Sequence, residues 1–158
     1  MKRNIVAVIH AVCGVLGFLF IAAFWSSTLF SELFLSYAAI ASVKQSILGA
    51  FVVFIPVMIA VGVSGNVLGG KAKRGVVVAK KKRMPIIALN GVLVLLPCAF
   101  YLNHLAQINE FGAMFYAVQA LELAAGAVNL SLMGANIRDG LAMRKRKNSG
   151  AKLSEKTQ

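Results

Sequence analysis

Charge is scarce in this chain of 158 residues. Asp, Glu, Lys and Arg supply 14% of it, against roughly 25% in an ordinary globular domain. Acid is scarcest, with five Asp and Glu beside 17 Lys and Arg. Two cysteines are too few for a disulfide scaffold. Two histidines and those cysteines form no paired metal-ligand spacing. The sequence also lacks a Ser/His/Asp set, a glycine-rich phosphate loop and an HExxH motif, so no enzyme chemistry is legible. The net charge of +12 invites a nucleic-acid reading. Too little polar surface exists for one, however, and no aromatic residues interleave with the lysine runs as stacking platforms. Disorder is excluded by the 59% of hydrophobic residues.

What is present is apolar length. A helix needs about 20 apolar residues to cross roughly 30 Å of hydrocarbon. Four runs qualify, over 5–25, 37–67, 84–105 and 111–137. The first is longer than a signal-peptide core and is followed by no small-x-small cleavage pattern, so it reads as a retained span. Every Lys and Arg except Lys44 lies before the first span, between the second and third, or after the fourth. The remaining loops hold Glu32 and Glu110 and no base. By the positive-inside rule both termini and the middle loop are cytoplasmic. The expectation is an all-α, up-down-up-down four-helix transmembrane bundle over residues 1–141, set in a bacterial inner membrane. A basic, disordered tail over 142–158 completes the chain. Its basic segments are expected to attract anionic lipid headgroups rather than nucleic acid.

In lipid, helices associate through small residues and interhelical hydrogen bonds. Gly14, Gly17, Gly49, Gly62, Gly91 and the run Ala124–Ala127 supply the small residues. Gly65-x-x-x-Gly69 offers a contact for a second copy or a membrane complex. Pro56 and Pro97 fall inside spans two and three, where each removes a backbone hydrogen bond and bends its helix.

Polar residues within the spans are the chemical clues. Glu122 lies near the centre of span four, where a charge costs about 3 kcal/mol or more. It shares a helical stripe with Gln119, Gly126, Asn129, Met133 and Asn136. Lys44 is its natural partner. Counting 1.5 Å per residue from the outer ends sets the two about 5 Å apart in depth, and from the cytoplasmic ends about 12 Å. Glu122, Lys44, Gln119 and His104 are therefore the candidates for an outer ligand or ion site. His10, Asn90 and Asn129, on three spans at similar depth, form an inner polar layer. Three functions follow from these residues. The first is a non-enzymatic protein that binds or passes a small ligand or ion, or supports a membrane complex. The second is a haem b redox subunit, with His10 and Met133 as axial ligands. The third is a proton- or cation-coupled transporter working through Glu122.

Overall fold

The computed structural model describes residues 3–70 and 76–155. Lys2, Lys71, Lys73, Arg74 and Lys156 lie outside them, as do the side chains of Arg144–Lys147 and Lys152. The described chain is all helical: α1 (Arg3–Phe34), α2 (Tyr37–Gly69), α3 (Val76–Asn90), a π-turn (Gly91–Leu95), α4 (Leu96–Gln107) and α5 (Ala113–Glu155). Four helical stretches are long and apolar enough to cross a membrane: Asn4–Phe34, Tyr37–Gly69, Val78–Gln107 and Ala113–Met143. At 30 to 33 residues each, they rise about 45 Å, more than the hydrocarbon alone requires.

The helix α1 runs nine residues beyond the span expected to end at residue 25. No glycine or proline occurs between Gly17 and Gly49 to stop it. The hydroxyls that make 26–31 look like loop are absorbed by the helix itself. Ser26 Oγ donates to Ala22 O at 2.7 Å, and Ser27 Oγ to Ala23 O at 2.6 Å. Only Leu35 and Ser36 separate α1 from α2, and Ser36 Oγ caps α2 by accepting from Ala39 N at 3.4 Å. The link from α4 to α5 is also short. Asn109 adopts φ 58°, Glu110 N donates to Leu105 O and Asn109 N to Ala106 O, the bonding of a Schellman stop. The extension of α1 to Phe34 carries Glu32 into helix rather than loop. At the far end α5 continues as helix to Glu155, so the tail's backbone is helical to that residue.

Span three is not a regular helix. Pro97 cannot donate a backbone bond, and ahead of it the chain widens into the π-turn, where Leu96 N bonds Gly91 O.

Three apolar clusters hold the helices together. Ile40, Cys98, Leu102, Leu105, Ala106 and Phe115 join α2, α4 and α5. Ile47, Phe51 and Ala99 lie deeper between α2 and α4. Ile21, Ile87 and Met133 join α1, α3 and α5. Phe24 meets Phe51 and Phe54 edge-on, at 5.9 and 5.5 Å between ring centroids. Large apolar side chains elsewhere point outward, Val8, Val52, Leu93 and Leu121 among them, as lipid-facing surfaces do.

The Gly65/Gly69 pair is used within the chain. Gly65 lies under Met84 and His10, and Gly69 under Lys81. Both glycines are buried.

Candidate functional site

The site begins with an ammonium group placed where water does not reach. Lys44 of α2 is 2% exposed. Removing such a charge from water costs several kcal/mol unless it is paired and hydrogen-bonded. Two partners on α5 meet it. Lys44 Nζ donates to Glu122 Oε2 at 2.8 Å and to Gln119 Oε1 at 2.5 Å. Gln119 Nε2 returns a bond to the same Glu122 oxygen at 3.1 Å. Gln119 and Glu122 stand three residues apart, one helical turn, so a single face of α5 presents both. The depth count from the outer ends is the one the geometry follows.

A second carboxyl group lies near this pair, on a stretch whose hydroxyls suggest a loop. Glu32, on the last turns of α1, has both carboxylate oxygens buried and without a hydrogen-bond partner among the described residues. It lies within electrostatic range of both Lys44 and Glu122. The signal that could have found it is the absence of glycine and proline between Gly17 and Gly49, which lets α1 run on and puts Glu32 one helical turn beyond Thr28.

Beside the cluster is a cavity of about 350 Å³ bounded by all four spans. That is a size seen for small-molecule sites. Its walls are aliphatic and aromatic, with Glu122, Thr28, Trp25 and Asn129 the notable polar exceptions. Ile55, next to Pro56, and Gly91, Val92 and Leu95 of the π-turn are all in the wall. Gly126 makes room at the α5 side. A Cβ there would stand 2.9 Å from Trp25 Cδ1, and its absence lets Trp25 Nε1 donate to Leu123 O at 2.9 Å.

The inner polar layer divides in two. Asn90 Nδ2 donates to Asn129 Oδ1 and to Ala125 O, each at 2.9 Å, and Asn129 Nδ2 reaches Ile87 O at 3.4 Å. His10 is not with them. Its Nδ1 sits 3.0 Å from Ser64 Oγ and 3.2 Å from Val61 O, against α2. Ser64 follows Val61 by one turn, so α2 offers both acceptors together. Met133 packs with Ile21 and Ile87 and lies opposite Gly17, seven residues or about 10 Å along α1 from His10. The two side chains thus turn to different neighbours, His10 to Ser64 and Val61 of α2 and Met133 to Gly17, Ile21 and Ile87. His104 is exposed on α4 and stays apart from the Lys44 cluster.

One more polar contact closes the basic end. Arg83 Nη1 donates to Asp139 Oδ2 at 2.6 Å and to Asn136 Oδ1 at 3.3 Å, tying α3 to α5. Asp139 gives no sign of this role in the sequence, because it sits among topogenic bases.

Against known protein families, curated proteins and solved structures, the chain has no match. The site's chemistry must carry the functional reading.

Proposed function

We propose that this small polytopic membrane protein binds a small molecule inside its helical bundle, with the Lys44–Gln119–Glu122 cluster as the polar pole of the site. The observation that carries the reading is the position of Glu122, which both pairs with the buried Lys44 and forms part of the cavity wall. An ion pair needed only to join α2 and α5 gains nothing from facing a cavity. A buried pair is a costly way to hold helices together, since apolar packing of similar volume does so as well or better.

The charge pattern supports an up-down-up-down bundle in a bacterial inner membrane, with both termini and the 71–83 segment cytoplasmic. Basic residues on that side would attract anionic headgroups at about 1 kcal/mol each. Any association with a second copy or a larger membrane complex would use the outward apolar faces, because Gly65 and Gly69 are occupied within the chain.

Native mass spectrometry of the protein released from lipid nanodiscs tests the reading. Wild type should retain a small-molecule adduct that Ala88→Trp, which fills the cavity's edge, releases while ordinary lipid adducts persist. Identical adduct masses and occupancies in the two proteins would rule the cavity site out.

A further inference from the structure

We infer that the cavity takes a neutral lipophile bearing one hydroxyl group, an alcohol or a phenol, held between Glu122 and Thr28. The inference rests on the reading of the cavity as a ligand site and adds the chemical class of its occupant.

The wall decides first what the body of the ligand must be. Its exposed members are Ile55 and Ile59 of α2, and Ala88 and Val92 of α3 and the π-turn. These belong to two of the apolar spans, so the opening faces hydrocarbon and a solute reaches it through the lipid. Inside, an aliphatic and aromatic lining accommodates an apolar body.

Most polar groups of the wall are already engaged. Trp25 Nε1 donates to Leu123 O. Asn129 accepts from Asn90 and donates to Ile87 O. Two groups are left over. Glu122 Oε2 receives the bonds from both Lys44 and Gln119, while Oε1 accepts none among the described residues. Thr28 is 3% exposed, and its hydroxyl has no hydrogen-bond partner among the described residues. The carbonyl one turn back, Phe24 O, receives Ser27 Oγ at 3.2 Å instead. Neither atom is sealed in as the Glu32 oxygens are.

The packing of α1 on α5 sets these two groups at one level. Phe18 lies against Gly134, and Trp25 against Gly126. Seven residues forward along α1 thus answer to eight back along α5, the register of an antiparallel pair. Thr28, three residues beyond Trp25, therefore stands level with Glu122 and Leu123. A ligand hydroxyl complements both groups through one oxygen, giving its proton to Glu122 Oε1 and receiving the proton of Thr28. A ketone or ether has no proton to give, and an alkyl group satisfies neither partner.

Charge narrows the class further. Among the described residues Glu122 is the one ionisable member of the wall, and Lys44 already meets its charge. An ammonium placed there would stand near Lys44 as a second cation, and a carboxylate would stand against Glu122, both in surroundings of low dielectric constant. A neutral hydroxyl incurs neither cost.

The only tryptophan of the chain, Trp25, is in the cavity wall and reports on occupancy directly. The test titrates the full-length protein in nanodiscs with 1-adamantanol, 1-methyladamantane and 1-adamantanamine. These share one body and differ in a hydroxyl, methyl or ammonium group, and their concentrations are expressed per lipid. The alcohol should shift Trp25 emission saturably, with a Kd about tenfold or more below those of the other two, as a hydrogen bond to a charged group is worth. Thr28→Val should raise the alcohol Kd about threefold or more and leave that of the methyl compound unchanged. Thr28→Ser should keep the wild-type preference. An alcohol bound no more tightly than the methyl compound, or an amine bound more tightly than the alcohol, would overturn the inference. So would an unaltered alcohol Kd in a folded Thr28→Val protein. Each of these outcomes leaves a cavity that binds apolar molecules. A saturable shift from none of the three probes would instead overturn the ligand-site reading beneath it.

Discussion

Lys44 is buried in the bundle interior and donates to both Glu122 and Gln119. Removing one partner leaves the other buried and uncompensated, at a cost of about 3–5 kcal/mol, whereas replacing both with apolar groups is often neutral. Lys44→Met and Glu122→Leu should each lower the melting temperature in detergent sharply, and the double variant should recover most of the loss. Equal and additive losses would show that the two side chains are not coupled. At this scale much of the site was legible. An acid and a lysine inside apolar runs stand out because each is expensive there, and Gln119 follows from Glu122 by helical spacing. Glu32 was not legible, because its visibility depended on where α1 ends. His10 was misassigned to the asparagine layer because depth along the membrane normal does not say which neighbour a side chain turns toward.

Among the elements, the π-turn borders the cavity through Gly91, Val92 and Leu95. A π-turn ahead of Pro97 stops the third span from packing as a uniform rod. The prolines announce a disturbance in the sequence, but nothing in it distinguishes a simple kink from a π-turn. Helix α5 meets α1 through the absence of a side chain at Gly126, where Trp25 lies close to the backbone. Gly126→Ala should displace the indole, cost about 1–3 kcal/mol by overpacking, and move the Trp25 emission maximum. An unchanged spectrum and melting temperature would mean that α1 does not approach α5 there. The length of α1 is hidden in the sequence by its hydroxyl residues. Serines suggest a loop when counted by polarity, yet the hydroxyls of Ser26 and Ser27 bond back to carbonyls of their own helix.

For the whole molecule, hydropathy gave four spans and the structure has four helical stretches fit to cross a membrane. This was the most legible level, since a bilayer demands internally satisfied backbone bonds over a fixed length. Orientation rests on charge asymmetry alone. Single cysteines placed at 82 and 109, in a background without Cys13 and Cys98, should react oppositely to a membrane-impermeant maleimide added to intact cells: position 109 labelled, position 82 protected. The reverse pattern would invert the topology and place the Lys44 cluster at the cytoplasmic end.

Whether the buried charges serve a ligand or only the fold is decided most directly in the Lys44→Met/Glu122→Leu protein, which removes the polar pole and keeps the packing. Its occupancy, read by native mass spectrometry beside wild type, should fall to that of Ala88→Trp while its melting temperature stays near wild type. A folded double variant that retains the wild-type adduct at wild-type occupancy would show that Lys44 and Glu122 take no part in binding.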